Sequence, residues 1–369
     1  MNEEIRVLQI IGDVCGGGVE TVIRNYYRHI DKSKVQFDFV VHKGALEAYM
    51  EEIERLGGRV YKVTPYQKNI FKFTYEIYRI IKLGNYQVIH SNMNVLSVFP
   101  LFGAWLAGAK IRILHNHTTD TSVEKLRTFL KHILKPFAKL FANQYWACSK
   151  SAAEWMYGNS STNNVQIINN AIEIEKFVFN IEKRLDLRKK LILDGYFVMG
   201  HIGRFMMQKN HNFLIDVFSE VIKKRKNSKL LLIGDGPLKE EIMKKVSKLG
   251  LRKDVIFLGA RDDIADLYNV MDIFIFPSFY EGLGMVAIEA QCNFLPVIAS
   301  DKVPEEVKLS CDIDFCNLEM GAIYWAEKIL NDGKERNTCL DITSIKNKFD
   351  VSLECQKLEK IYIQLVSGE

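Results

Sequence analysis

The stretch Phe276-Pro-Ser-Phe-Tyr-Glu-Gly-Leu-Gly-Met-Val-Ala-Ile-Glu-Ala-Gln291 decides how the rest of the chain is read. It continues the apolar run Asp272-Ile-Phe-Ile-Phe276, which is rich in β-branched and aromatic residues and halted by Pro277, as suits a buried strand of a parallel sheet. Gly282 and Gly284 then allow positive φ and the close approach of a ligand. From Met285 the apolar residues Val286, Ile288 and Ala290 carry a helix that Pro296 stops. Free amides at the helix start, around Leu283, Gly284 and Met285, form an anion site. Glu281 stands in the loop before the helix and Glu289 lies one to two turns inside it, at a rise of about 1.5 Å per residue. Two carboxylates flanking an anion site repel a bare phosphate unless they bind hydroxyls at either end of a longer molecule. The pattern therefore suits a sugar–diphosphate–ribose ligand.

Working outward, strand-like and helix-like segments alternate almost throughout, the pattern of α/β layers with parallel sheets. Strands are expected at 5–11, 36–41, 59–63, 88–90, 111–115, 144–148 and 165–168, and a second series at 196–203, 229–233, 255–258, 272–276 and 296–299. Helices are expected between them, among others at 20–29, 46–56, 73–81, 95–106 and 123–141. The restart at 196 marks a boundary, with a charged linker in 171–193, and 369 residues suit two domains of roughly 150–200 each. The expected division is a first domain over 1–175, a second over 176–350, and a C-terminal helix over 351–369 packing back on the first.

Composition narrows the classes. Hydrophobic residues make up 48% and charged residues 26%, enough for two cores. A net charge of +5, spread along the chain, gives no basic stripe for nucleic acid. The start, Met1-Asn-Glu-Glu-Ile-Arg6, offers no apolar secretion signal and no run of 18 apolar residues occurs, so a cytoplasmic protein is expected. Seven cysteines without metal-site spacing read as reduced thiols, and no metal is expected.

Three further loops carry charge or glycine at strand ends. Gly12-Asp-Val-Cys-Gly-Gly-Gly-Val-Glu20 can present amides to phosphate, but Gly16, Gly17 and Gly18 are consecutive, which fits neither a dinucleotide fingerprint nor a P-loop. Gly203-Arg-Phe-Met-Met-Gln-Lys-Asn210 puts Arg204 and Lys209 where two cations suit a diphosphate. Arg112-Ile-Leu-His-Asn-His-Thr118 ends a strand with His115 and His117 on one side, at the carboxyl edge where α/β sheets place ligands. Leu231-Leu-Ile-Gly-Asp-Gly-Pro237 and Val255-Ile-Phe-Leu-Gly-Ala-Arg261 complete the order of landmarks.

Glu281 and Glu289, with these landmarks before them, resemble retaining glycosyltransferases of the GT-B fold, in particular family 4. The resemblance covers nearly the whole chain and implies two Rossmann-like domains facing across a cleft. It implies that Arg204 and Lys209 grip the donor diphosphate, that Gly16 and Gly17 approach it from the other domain, and that Gly234 belongs to the donor side. Ala260 and Arg261 would lie against the base, Glu289 would bind the ribose, and Glu281 with Gly282, Leu283, Gly284 and Met285 would hold the sugar. His117, ahead of His115, would face the reacting centre. Family habit makes UDP-sugar the expected donor, a substrate with no further cofactor. The expected acceptor is a saccharide or polyprenyl-linked glycan, as in capsular, exopolysaccharide or lipopolysaccharide assembly.

Two features depart or compete. Relatives often carry Pro-Asn-Gly where this chain has Asn169-Asn170-Ala171, which puts the turn there in doubt. A nucleotide-sugar epimerase of the same fold would bind the same donor without transfer. Asp312-Ile-Asp314 spells the metal motif of another transferase fold, but falls late, and reads as a surface turn after the last parallel strand. Finally, 123–141 sets Lys131, Lys135 and Lys139 among Leu and Phe residues, with Pro136 as a breaking point. Such a basic amphipathic helix suits peripheral attachment to an anionic membrane surface.

Overall fold

The computed structural model describes residues 4–12, 18–43, 47–118, 125–158, 164–331, 336–338 and 341–368, without the side chains of 125–131. The chain divides into two compact units, Met1–Ile172 with Lys348–Glu369, and Glu173–Asn347.

The first unit holds strands β1 (Ile5–Gly12), β2 (Val35–His42), β3 (Val60–Val63), β4 (Val88–Ser91), β5 (Ile111–Asn116), β6 (Gln144–Ala147) and β7 (Gln166–Ile167). They form one sheet in the order β3-β2-β1-β4-β5-β6-β7, and every pairing is parallel. Helices α1 (Gly18–His29), α2 (Glu47–Arg55), α3 (Ile70–Gly84), α4 (Val98–Ala107), α5 (Lys125–Phe141) and α6 (Lys150–Tyr157) make the crossovers. Phe37, Phe39 and Val41 of β2 bury one face against Tyr26 and Tyr27 of α1, while Leu8, Ile10 and Ile89 bury the other against Phe73 and Ile77 of α3. Burial on both faces explains why these strands read as near-continuous apolar runs.

In the second unit α7 (Ile174–Phe177) and α8 (Ile181–Lys190) precede β8 (Phe197–Ile202), followed by α9 (His211–Lys224), β9 (Ser228–Ile233), α10 (Lys239–Lys248), β10 (Val255–Gly259), α11 (Ile264–Leu267), β11 (Ile273–Phe276), α12 (Met285–Cys292), β12 (Val297–Ser300), β13 (Ile313–Cys316), α13 (Gly321–Asn331) and α14 (Thr343–Phe349). The parallel sheet runs β10-β9-β8-β11-β12-β13. The final helix, α15 (Val351–Ser367), starts on an Asp350 cap whose carboxylate accepts from the amides of Ser352 and Leu353, and it packs on the first unit through Val351, Cys355, Leu358 and Tyr362.

Three expectations need correction. Residues 171–193 are not an open linker: α8 is clamped to its own unit, because Arg184 pairs with Asp272 at 2.5 Å and Arg188 donates to the carbonyls of Val270 (2.8 Å) and Leu193 (2.9 Å). Its many charges look like a solvated link, yet two of them satisfy backbone acceptors at the start of β11. Asp312-Ile-Asp314 is not a surface turn after the last strand, since it leads into β13, a further parallel strand on β12, where Asp314 faces Lys328 at 3.5 Å. Pro136 does not break α5, which continues through it to Phe141.

Candidate active site

In the second unit the strand order reverses between β8 and β11, so the loops that leave these strands emerge side by side, the position where open α/β sheets bind ligands. The loop after β8 is shaped by its neighbour. A Cβ at Gly234 would lie 2.2 Å from the Gly203 carbonyl oxygen, and one at Gly236 would lie 2.6 Å from that of Phe205. The need for glycine at 234 thus comes from the chain's own backbone. Asn210, in the left-handed region at φ 53°, ends the loop and caps α9.

The loops after β8 and β11 are stitched together. The Phe279 amide donates to Gln208 O at 2.8 Å, and the Gln208 side chain donates to Tyr280 O at 3.0 Å and Glu281 Oε2 at 3.1 Å. Lys209 Nζ meets Glu281 Oε1 at 2.7 Å and lies 4.9 Å from the Phe276 ring centroid. Glu281 is 6% exposed, so this is a buried ion pair, and each charge depends on the other for neutralisation. Arg204, by contrast, is exposed, and its guanidinium makes no hydrogen bond among the described residues.

Gly284 takes φ 98° as the residue before α12, beside the Phe276 ring, and Leu283 is buried. Within α12, Glu289 accepts from the Tyr268 hydroxyl at 2.8 Å. Burial raises its carboxyl to about 7, against the opposing effects of that hydrogen bond and of the Lys209 charge. Arg261 is exposed and held by Asp263 in a two-pronged pair at 2.6 and 2.5 Å.

In the first unit the order reverses between β1 and β4. Gly16 and Gly17 of the loop after β1 lie outside the described residues. His117, just past β5, is fixed through its backbone amide, which donates to Asn94 Oδ1 at 2.6 Å, and through its ring Nε2, 3.0 Å from Asn92 Oδ1. Its ring centroid is 3.9 Å from that of His115, and His115 Nδ1 is 3.0 Å from His90 Nε2. Burial lowers all three rings, His117 to about 4 and the others well below the usual histidine range, so all are neutral at pH 7. Asn169-Asn170-Ala171 adopts no left-handed residue. Tyr26 donates to Asn169 O at 2.5 Å and Asn25 to Ala171 O at 3.3 Å, leaving Asn170 beside His117 in one cavity.

Comparison with known proteins assigns the chain. The profile described as Glycosyltransferase Family 4 matches residues 16–176, and the one described as Glycosyl transferases group 1 matches residues 182–310. The putative glycosyltransferase EpsF of Bacillus subtilis is 34% identical over 338 residues, spanning 88% of this chain and 86% of EpsF. The chain belongs to glycosyltransferase family 4. Among other relatives, the capsular polysaccharide biosynthesis glycosyltransferase CapH of Staphylococcus aureus is 25% identical, over 97% of this chain and 99% of CapH. A UDP-Gal:alpha-D-GlcNAc-diphosphoundecaprenol alpha-1,3-galactosyltransferase of Escherichia coli is 23% identical, over 79% of this chain and 78% of its own. Anabaena HepE, solved in complex with UDP and glucose, superposes with a TM-score of 0.80 at 18% identity, covering 97% of this chain and 99% of HepE. The architecture is GT-B, and the protein is a glycosyltransferase.

Several residues that complete these clusters are absent from the sequence reading: Gln208 and Tyr268 in the second unit, and Gln9, His90, Asn92 and Tyr362 in the first. His90 and Asn92 carry a usable signal, since β4 also ends in polar residues at its carboxyl edge. Tyr268 and Tyr362 carry none, because each meets its partner only through the fold.

Proposed function

We propose that this family 4 glycosyltransferase moves a hexosyl unit from a nucleotide sugar, a UDP-sugar, to a saccharide or polyprenyl-linked glycan acceptor, with retention of anomeric configuration. The names of its capsular polysaccharide biosynthesis relatives in Staphylococcus aureus support assembly of a bacterial surface polysaccharide. The observation that carries the reading is the stitched pair of loops at the second switch point, with Lys209 and Glu281 in contact and Glu289 on the adjoining helix. Negative charge develops on the departing diphosphate, so catalysis is chiefly electrostatic. Arg204 and Lys209 meet that charge in place of a metal. Glu281 and the amides around Leu283, Gly284 and Met285 hold the sugar, Glu289 holds the ribose, and Arg261 borders the base. His117 serves as a catalytic residue. No carboxylate serves as a nucleophile: the acceptor attacks on the face the diphosphate leaves, and a phosphate oxygen takes its proton.

The acceptor side points to a membrane. Among the described residues no helix is long and apolar enough to cross one, but α3, α4 and α5 present outward apolar side chains. Phe71 and Tyr75, Trp105 and Leu106, and Ile133, Phe137 and Leu140 are exposed, and the Phe102, Trp105 and Phe141 rings form one cluster at 4.9–6.1 Å. Exposed Lys72, Arg79, Lys82 and Lys110 lie on or beside the same helices. Of the expected lysine edge of α5, Lys135 lies over the Trp155 ring at 4.2 Å and Lys139 is half-buried, while the Lys131 side chain lies outside the described residues; the described outward positions 133, 137 and 140 are apolar. Such a face suits peripheral, interfacial binding at the cytoplasmic side of an anionic membrane.

The test is to incubate the protein with UDP-, GDP- and ADP-sugars, with and without a polyprenyl-diphosphate saccharide, and to read the anomeric configuration of the product. Transfer from a UDP-sugar that keeps the configuration and survives a chelator is expected. Sugar interconversion without acceptor would establish the epimerase instead, and an inverted product would refute the mechanism.

A further inference from the structure

The three stacked histidines of the first unit belong to a hydrogen-bond chain whose direction can be worked out from a backbone carbonyl. The carbonyl of His90 can only accept, and Asn92 Nδ2 faces it at 3.4 Å, which fixes the orientation of the Asn92 amide. Asn92 Oδ1 therefore faces His117 Nε2, so Nε2 carries the proton of His117 and its Nδ1 is bare. The same Asn92 Nδ2 donates to Gln9 Oε1 at 3.0 Å, which turns the Gln9 amino group toward Tyr362. Gln9 Nε2 donates to the Tyr362 hydroxyl at 3.2 Å, and that hydroxyl, now an acceptor from Gln9, gives its own hydrogen to His90 Nδ1 at 2.6 Å. His90 must then carry its proton on Nε2 and donate to His115 Nδ1 at 3.0 Å, leaving the proton of His115 on Nε2.

Both branches end in buried ring nitrogens that make no well-formed hydrogen bond among the described residues: His115 Nε2, a donor, and His117 Nδ1, an acceptor, with the Asn170 amide in looser contact with the His117 ring. Both rings line one cavity, which has about 310 Å³ of empty space with its open mouth included. Tyr362 belongs to α15, and Gln9 lies 353 residues before it on β1.

We propose that Gln9 is a positioning residue which, through Tyr362 of the C-terminal helix, sets the tautomers of His90 and His115, while Asn92 sets that of His117, so that one cavity receives an N–H and a bare nitrogen side by side. The effect on transfer rests on the proposed function, with His115 stacked on His117 at 3.9 Å as a second ring at the reacting centre; the tautomers themselves do not. Neutrality of the rings at pH 7 is what makes a tautomer, rather than a charge, the variable.

Nitrogen NMR of the full-length protein with ¹⁵N-labelled histidine, assigned by single His→Asn variants, distinguishes protonated from bare ring nitrogens. At pH 7 His90, His115 and His117 are each expected to carry a proton on Nε2 alone. A bare Nε2 or a doubly protonated ring at any of the three overturns the proposal. In Gln9→Glu, recorded at a pH about two units above 7 so that the buried carboxyl is ionised, the side chain can only accept, so Tyr362 turns its hydrogen to it and accepts from His90. His90 and then His115 are expected to take their protons on Nδ1, with His117 unchanged. A Gln9→Glu protein whose His90 Nδ1 stays bare also overturns it. If Gln9→Glu does not fold, the wild-type spectrum still decides. In steady-state assays Gln9→Glu is expected to lower kcat at least tenfold with KM for the donor within twofold. An inverted tautomer with unchanged kcat would leave the relay standing and show that the ring N–H of His115 takes no part in transfer.

Discussion

Replacing Glu289 by Gln should make the nucleotide-free protein more stable and its nucleotide binding weaker, both as functions of pH. The Glu289 carboxyl titrates at about 7 in the folded protein, against 4.5 for an unburied glutamate. With a raised value the sign runs against folding. Between pH 4.5 and 7 the unfolded chain ionises while the folded one keeps its proton, so stability falls as pH rises through this window and the deficit is constant above it. The gap corresponds to about 3 kcal/mol at about 1.4 kcal/mol per pH unit. A glutamine keeps an oxygen for the Tyr268 hydroxyl and never ionises. Thermal unfolding should therefore give Glu289→Gln and wild type similar midpoints at pH 4.5, with the variant pulling ahead by several degrees at pH 8.

Binding should move the other way. On the proposed reading the charged carboxylate accepts the ribose hydroxyls, so UDP affinity in the wild type should drop about tenfold between pH 8 and pH 6 as Glu289 takes up its proton. Titration calorimetry should show that drop reduced in the variant to what the nucleotide phosphate alone contributes, because the comparison of two proteins cancels the ligand's own titration. Parallel pH curves for the two proteins, in either assay, would refute the reasoning.

Other outcomes follow from the same contacts. On the proposed reading each of Lys209→Ala and Arg204→Ala would remove a donor to the developing diphosphate charge and should lower turnover by about 10²-fold, as single-turnover kinetics would read. Arg188→Ala should cost about 3 kcal/mol or more in urea unfolding, because it strands the carbonyls of Val270 and Leu193 and one side of Asp272. Trp105→Ser with Phe137→Ser should reduce sedimentation with anionic vesicles at low and high salt alike, whereas charge reversal of Lys131, Lys135 and Lys139 should act only at low salt. Glu281→Gln should tighten the binding of bare UDP and abolish any gain from the attached sugar, measured by calorimetry with both ligands.

What was legible in the sequence was what a strand's own carboxyl end reveals. Phe276-Pro277 with two glycines, Gly203-Arg204 and the His115–His117 pair all mark the ends of apolar runs; the first two lie at the strand reversal of the second sheet, and the third ends β5, one strand beyond the reversal of the first. Local signals of that kind survive without knowledge of the fold. Partnerships across the fold leave no such trace. Tyr268 reaches Glu289 from a short 3₁₀ turn before β11, and Tyr362 reaches His90 across 272 residues. Charge misled for a related reason: the lysines of α5 read as a membrane-facing edge and the charges of α8 as part of a linker, but Arg188 is 7% exposed and bonded to carbonyls, and Lys135 lies on an indole. A sequence shows which residues carry charge, and only packing shows which of them meet water.

The ion pair between Lys209 and Glu281 sets a condition on any ligand that uses both. Each group is neutralised by the other, and Glu281 has almost no access to water. A diphosphate that draws the Lys209 charge toward itself weakens the pairing of a buried carboxylate, which costs several kcal/mol unless hydrogen-bond donors replace the ammonium. Gln208 supplies one such donor at 3.1 Å. The hydroxyls of a donor sugar would supply more, and bare UDP has none to offer at that position. On the proposed donor reading the pair would tie engagement of the diphosphate to the presence of the sugar: it would favour the intact donor over the spent nucleotide, and the return of Lys209 to Glu281 once the sugar has left would help UDP to dissociate after transfer.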